Sequence, residues 1–158
     1  MHIHEFIDFT NGVFIVHKNK VLLIHHRELN AWLPIGGHIE LNEDTDDALF
    51  REIKEECGLD RDDIEIMSDK PPTCDDAKFL LVPQYMNIHK VNKKHKHITL
   101  VYFVKSKKET VALRENEHYA IKWFSQEELK TEPDLNSQTR AFRDIFAPAD
   151  FDIRKNTC

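Results

Sequence analysis

The 158-residue sequence predicts an α/β fold, a central mixed β-sheet with flanking helices packed outside it. Short apolar or β-branched runs recur along the chain with the length of strands. Between the early and the late runs, one segment changes to helical spacing and is bounded by residues that favour helix ends. Two shorter helical patterns follow the last strand run, so helices are available to cover the sheet.

The predicted strands begin with a hairpin. Apolar residues at positions 13–16 and 21–24 flank the polar turn 17–20, which is typical of two antiparallel strands. The basic run 90–97 is expected to be a loop between strands. Apolar composition predicts five later strands, at residues 64–67, 79–82, 85–88, 98–104 and 120–124.

The most regular helix is predicted over residues 44–57. Asp44 or Thr45 can cap its N-terminus, and Gly58 supplies a residue that commonly ends a helix. Later in the chain a Ser-x-x-Glu capping box at residues 125–128 opens a short helix. A further helix is predicted over residues 137–146, ending before Pro148.

Length and charge limit the class of protein. The chain is long enough for one hydrophobic core, so we expect a single domain over residues 1–158 with a loose C-terminal tail at 149–158. A net charge of -6 disfavours nucleic acid as a partner and is compatible with a small phosphorylated substrate whose charge is offset by cations. The sequence has neither a membrane-spanning run nor a signal-peptide core, and its three cysteines match no disulfide framework, so we expect a cytoplasmic protein with no membrane partner.

Three glutamates of the predicted helix lie on one face. Glu52, Glu55 and Glu56 stand at i, i+3 and i+4, beside an apolar stripe that includes Leu49 and Ile53. Like charges at this spacing repel, and hard divalent cations such as Mg²⁺ are natural partners for their carboxylates. A glutamate-rich helix is more often simply a solvated amphipathic helix, so this face alone does not predict a metal site.

The surrounding residues change that interpretation. Nine residues stand at the spacing G-x5-E-x7-R-E-U-x-E-E-x-G-U, where U is apolar, and this pattern resembles the Nudix box of Nudix (MutT-like) hydrolases at every specified position. These residues are Gly37, Glu43, Arg51, Glu52, Ile53, Glu55, Glu56, Gly58 and Leu59. A chance match at nine positions is expected in about one in a million chains or fewer. The resemblance implies the Nudix α/β/α sandwich across most of the chain.

The resemblance also implies a metal site. Glu52, Glu55 and Glu56 would bind Mg²⁺, with Mn²⁺ as a substitute, and the loop ending at Gly36 and Gly37 would offer backbone carbonyls to the same ions. Glu40 stands where the family often has an acid and would bind a further ion. The family usually has Pro-Gly-Gly at this loop, whereas here Ile35 separates Pro34 from the glycines, which puts the fine geometry of the loop in doubt.

The remaining site residues follow from the same resemblance. Arg51 cannot bind a cation, so its guanidinium is expected to hold Glu43 or a ligand glutamate in place. The family also commonly uses a glutamate from a loop before a late strand, for which Glu117 is the best match and Glu115 its rival. Either Glu55 or Glu117 is the expected general base for an attacking water.

Substrate contacts are less specified. Arg27, Trp32 and His38 lie where side chains could reach a base or a phosphate, although Trp32 also fits a hydrophobic plug. The basic segment with His89, His95 and His97 could contact substrate phosphates or a terminal sugar, but a solvated hairpin tip is the favoured interpretation. Zinc is not predicted, because His95-x-His97 has no carboxylate or cysteine at ligand spacing.

The predicted function is therefore Mg²⁺-dependent hydrolysis of a diphosphate linkage in a nucleoside diphosphate derivative or a nucleoside triphosphate. An alternative is a catalytically silent Nudix-fold module that binds a nucleotide and regulates a partner, although its glutamate set would usually be damaged. A diphosphate isomerase would need a catalytic cysteine and acid, for which Cys74 beside Asp75 and Asp76 is the candidate. Homodimers are common in the family.

Overall fold

The predicted mixed sheet and its flanking helices are confirmed. The computed structural model describes residues 3–113 and 118–145. Their strands are β1 (Ile7–His17), β2 (Lys20–His26), β3 (Ala31–Leu33), β4 (Ile64–Ile66), β5 (Tyr85–Lys90), β6 (Lys96–Ser106) and β7 (His118–Ser125); their helices are α1 (Thr45–Cys57), α2 (Gln126–Thr131) and α3 (Ser137–Phe142), with a 3₁₀ turn at Arg61–Asp63.

Strand β1 lies at the centre of the sheet. It forms the predicted antiparallel hairpin with β2, and the turn residues Lys18 and Asn19 have φ of 46° and 63°, as tight hairpin turns require. On its other side β1 pairs in parallel with β6 over ten residue pairs, Ile7↔Lys96 to Val16↔Lys105. Strand β2 continues the sheet to β3 and β7, and β6 continues it to β4 and β5. The sheet is mixed because only the β1–β6 pair is parallel among these pairings.

The two faces of the sheet bury separate cores. Val13 and Ile15 of β1 pack with Leu49 and Ile53 of α1 on one face. Phe14 of β1 packs on the other face, which α2 and α3 cover with Leu129 and Phe142. Because strand residues alternate between faces, odd-numbered residues of β1 face α1 and even-numbered residues face α2 and α3.

A segment between β3 and α1 runs beside the first half of β1. The amide of Val13 donates to the carbonyl of Ile35 over 2.7 Å, and the amide of Asn11 donates to the carbonyl of Gly37 over 2.8 Å. Ile35 is fully buried. Ile35, which stands between Pro34 and the glycines, therefore packs in the core. The hydrogen bond that its carbonyl accepts from Val13 of β1 fixes the start of the glycine loop.

Helix α1 begins and ends as predicted. Asp44 is the residue that caps it, since its carboxylate accepts the amides of Asp46 and Asp47, and Gly58 follows its last turn. The helix places one stripe against the core and presents the adjacent glutamate face to the glycine loop. Among the described residues, no helix is long and apolar enough to cross a membrane.

Two sequence predictions were wrong in part. Residues 79–82 do not form a strand, because the amide of Leu81 donates to the Asp46 carboxylate on α1. In addition, the strands β4 and β5 already pair with β6. Helix α3 ends at Phe142 instead of continuing to 146, since bonds from Arg143 to Arg140 and from Ile145 to Phe142 tighten its last turn. Phe146 and the tail 149–158 lie outside the described residues.

Candidate functional site

The three glutamates predicted as metal ligands share one face of α1 but differ in burial. Glu52 and Glu56 are 7% and 3% exposed, whereas Glu55, one turn from Glu52, is exposed to solvent. Carboxylates are seldom buried at this level without a partner that offsets their charge. The pair Glu52 and Glu56 therefore forms the base of the site, and Glu55 forms its open edge.

The glycine loop closes over the two buried carboxylates. The amide of Gly36 donates to Oε2 of Glu56 over 2.8 Å. A Cβ at position 36 would lie 2.0 Å from the carbonyl oxygen of Asn11, and one at position 37 would lie 2.2 Å from Oε1 of Glu52. Gly36 therefore lets the loop approach the backbone of β1, where no side chain would fit, and a side chain at position 37 would displace the Glu52 carboxylate.

Arg51 connects the buried and exposed carboxylates. Its guanidinium contacts Glu43 through Nε at 2.5 Å and Nη2 at 3.0 Å, and its Nη1 lies 2.7 Å from Glu52 and 3.5 Å from Glu55. Nη2 also donates to the carbonyl of His38 over 3.0 Å. The hydrogen bond from Arg51 lowers the pKa of Glu43, and the same contact raises the pKa of Arg51. The Arg51 guanidinium thus contacts one acid before the helix, Glu43, and two acids on it, Glu52 and Glu55.

Even with Arg51 present, the carboxylate pair has an excess of negative charge. Burial and the neighbouring Glu56 raise the pKa of Glu52 to about 7, although Arg51 opposes this shift. A carboxyl group that holds a proton near neutral pH indicates a place where a cation would be stabilised once the proton leaves.

His118 is a site residue that the sequence did not predict. Its Nε2 lies 2.8 Å from Oε1 of Glu56, and both side chains are buried. Glu56 is therefore held on two sides, by His118 through one oxygen and by the amide of Gly36 through the other. The contact joins residues 62 positions apart, through the pairing of β7 with β2, so no local pattern indicates it.

The other predicted site residues are distributed around this centre. Glu40 is exposed, and its amide donates to Glu43 over 3.2 Å. Arg27 donates to the carbonyl of His118 over 3.3 Å and lies over the ring of Tyr119. The rings of Trp32 and Phe124 meet edge to face, and Trp32 packs, partly buried, against the core on the face opposite α1. Glu117 and Glu115 lie outside the described residues.

The cysteines give no support to the isomerase alternative. Cys57 is fully buried, its thiol donates to the carbonyl of Ile53, and burial raises its pKa to about 12, so it is not a nucleophile at neutral pH. Cys74 lies in an exposed segment, 2.7 Å from the carboxylate of Asp76. Cys158 lies outside the described residues.

The predicted hairpin tip is present, because β5 and β6 pair on either side of the exposed residues 91–94, but its histidines are not solvated. His95 is 3% exposed, and its Nε2 lies 3.2 Å from Oδ2 of Asp8. His97 is half-buried, with its ring against those of His38 and His95, and burial lowers its pKa to about 4. The reason is the parallel pairing of β6 with β1, which places this segment beside the N-terminal residues of β1.

The raised pKa of Glu52 makes a prediction for stability. In chelator-treated protein, the folded state retains a proton between pH 4.5 and about 7 that the unfolded chain releases, so the free energy of unfolding falls as pH rises through this window. Glu52→Gln removes this titration. Its stability relative to the wild type should therefore increase from pH 5 to pH 8 by about 1 to 3 kcal/mol, measured by urea unfolding.

The exposed Glu65 of β4 offers a matched control. The free energy of unfolding of Glu65→Gln should differ from that of the wild type by a similar small amount at pH 5 and at pH 8. A constant difference between wild type and Glu52→Gln across these pH values would contradict the raised pKa.

Comparison with known proteins agrees with this geometry. The model of the NUDIX domain matches residues 9–145. A NUDIX-family hydrolase from Clostridium perfringens superposes with a TM-score of 0.72 at 30% identity, covering 89% of this chain and 98% of that one. An Ap4A hydrolase from C. elegans superposes with a TM-score of 0.67 at 20% identity, covering 87% and 93%, which shows a shared fold.

Curated relatives match over shorter stretches. An RNA pyrophosphohydrolase from Pseudomonas putida is 43% identical over 63 residues, which are 38% of this chain and 40% of that protein. The m7GpppN-mRNA hydrolase NUDT17 from Danio rerio is 38% identical over 68 residues, 39% of this chain and 23% of that protein. The chain thus spans less than half the length of these relatives. With the domain match over most of its length and the complete glutamate motif in place, the chain belongs to the Nudix hydrolase family.

Proposed function

We propose that this protein is a Mg²⁺-dependent hydrolase of a diphosphate linkage in a nucleoside diphosphate derivative or a nucleoside triphosphate. The observation that carries the proposal is the placement of Glu52 and Glu56 as two buried carboxylates beneath Gly36 and Gly37, with Glu55 exposed beside them. A site built in this way combines a cation-binding base with an edge that substrate and water can reach.

The residues present fit a hard divalent cation. The donor set on α1 consists of carboxylate oxygens, and the pKa of Glu52, raised by burial and by Glu56, supports a site that a cation would stabilise. Glu52, Glu55 and Glu56 would hold the ion, with Glu40 available for a further one and Mn²⁺ able to substitute. When bound, the ion would neutralise phosphate oxygens and lower the pKa of the attacking water.

The chain's own residues have separate roles in this proposal. Glu55, which is exposed and 3.5 Å from Nη1 of Arg51, would accept the proton of the attacking water. Glu117 is the alternative base. Arg51 keeps Glu52 and Glu43 oriented, and the amide of Gly36 keeps Glu56 oriented.

The substrate class rests on the family and on nearby side chains. Arg27 and Tyr119 stack beside the His118 carbonyl, which offers a cationic and aromatic surface to a base or a phosphate. Two relatives are named as an m7GpppN-mRNA hydrolase and an RNA pyrophosphohydrolase. The net charge of -6 favours a small substrate over a long polyanion.

Turnover should depend on both the cation and Glu55. Purified protein with Mg²⁺ is assayed against nucleoside triphosphates, nucleotide sugars, dinucleoside polyphosphates and RNA with a 5′ triphosphate or cap. We expect cleavage of a small nucleotide, lost with chelator and reduced about a hundredfold or more in Glu55→Gln.

Glu127→Gln, an exposed change on α2, is the matched control and should retain full turnover. Near wild-type turnover in Glu55→Gln, with its Mg²⁺ affinity unchanged, would rule out Glu55 as the base. Tight nucleotide binding without turnover across the whole panel would instead support the silent regulatory module.

His118 is proposed as a positioning residue that acts through Glu56. His118→Gln should raise the Mg²⁺ concentration for half-maximal activity by about tenfold or more, because Glu56 loses the contact that orients it. His17→Gln, at the far end of β1, should leave that concentration unchanged. A loss of melting temperature in His118→Gln with an unchanged Mg²⁺ requirement would mean that the contact is only structural.

A further inference from the structure

We propose that Asp8, His38 and His97 form a second metal site, selective for Zn²⁺ or a similar transition-metal ion, on the sheet face opposite to the glutamates. The ligand atoms of these three side chains all lie within 4.8 Å of one another. The site is independent of the proposed hydrolase activity, since it shares no side chain with the glutamate set.

Strand pairing brings the three residues together. Asp8 of β1 and His97 of β6 are directly opposite each other in the parallel pair. His38 follows the glycine loop and reaches β1 through the bridge between Thr10 and His38. His97 thus meets His38, 59 positions away, and Asp8, 89 positions away. The sequence around His95 and His97 could not indicate that Asp8 supplies the carboxylate of the site.

The two sites lie on opposite faces of the sheet. Val13 and Ile15 face α1, whereas Phe14 and Val16 face α2 and α3. By the same alternation Asp8 joins the face of Phe14, together with Thr10, whose hydroxyl lies 2.8 Å from that of Thr99. The glutamates of α1 lie on the other face, so an ion held by Asp8 cannot be the one held by Glu52.

The geometry suits a compact ion. Zinc ligands lie about 2.0 to 2.2 Å from the ion, which places tetrahedral ligand atoms about 3.3 Å apart. Oδ2 of Asp8 and Nε2 of His38 already stand 3.2 Å apart. The other separations are at most 4.8 Å, and because the Asp8 carboxylate is held in place, the two imidazoles are the groups that would move toward an ion.

The surroundings of Asp8 fix its carboxylate in place. The carboxylate is fully buried, and the amides of Ile3 and His4 donate to its two oxygens over 3.0 and 2.6 Å. His95 lies 3.2 Å from Oδ2 on a further side and is itself held by the carbonyl of Glu5. Outer contacts of this kind orient ligating carboxylates in zinc proteins.

The donor set discriminates between ions. Two imidazole nitrogens and one carboxylate oxygen suit Zn²⁺ and related transition metals, whereas Mg²⁺ prefers oxygen ligands alone. An ion here would cross-link β1, β6 and the segment that follows Gly37. The backbone carbonyl of His38 accepts from Arg51, so this link would also steady the guanidinium of the glutamate site.

The first test is zinc affinity, measured by competition with a chromophoric chelator in excess Mg²⁺, which occupies the glutamate set. We expect one Zn²⁺ per chain in the wild type and in Glu52→Gln. Affinity should fall about a hundredfold or more in both Asp8→Asn and His97→Gln, since loss of an outer contact to a ligand alone costs about tenfold to a hundredfold. His17→Gln, a half-buried histidine at the other end of β1, should bind as the wild type does.

The second test needs no variant and uses zinc X-ray absorption on the wild-type protein under the same conditions. Scattering from two imidazoles and a light atom at about 2.0 to 2.2 Å would support the site. An all-oxygen shell, the absence of zinc binding, or equal zinc affinity in Asp8→Asn and wild type would overturn it. If Glu55→Gln loses hydrolysis and still binds zinc as the wild type does, the zinc site is independent of the hydrolytic site.

Discussion

The burial of Glu52 and Glu56 beneath the glycine loop is the constraint on which the rest of the site depends. Two carboxylates of like charge on adjacent turns of one helix are unfavourable in a protein interior unless their charge is offset and their oxygens are hydrogen-bonded. Arg51 supplies part of the charge, and Gly36 and His118 supply hydrogen bonds to Glu56. Burial and the neighbouring Glu56 still raise the pKa of Glu52 to about 7, so these contacts do not fully offset the cost of burying its charge.

The fold holds that arrangement through β1. The segment from Ile35 to Gly37 is hydrogen-bonded to the backbone of β1, so the glycine loop has a fixed position beside this strand. Helix α1 packs Leu49 and Ile53 on the same face of β1, which fixes its glutamate face relative to the loop. The Gly36 amide and the Glu56 carboxylate, which meet at 2.8 Å, are therefore positioned by the same strand, and glycine at position 36 avoids a clash with the backbone of β1.

The elements that could be predicted from the sequence are those set by local patterns. The helix over 44–57, its capping, the hairpin and the glutamate motif depend on residues within a few turns of each other. The strand expected at 79–82 was wrong because apolar composition does not show that Asp46 takes the amide of Leu81. The contacts of His118 with Glu56 and of Asp8 with His97 depend on strand pairing across 62 and 89 positions, and no single segment carries that information.

The most direct measurement is calorimetric titration of chelator-stripped protein with Mg²⁺ near pH 6.5, in two buffers of different ionisation enthalpy. If a cation replaces the proton on Glu52, binding should release up to about one proton per ion in the wild type. Glu52→Gln should bind more weakly and lack the proton release that the wild type shows. Equal Mg²⁺ binding and equal proton release in the two proteins would contradict the claim that a divalent cation binds the buried Glu52 carboxylate in place of its proton.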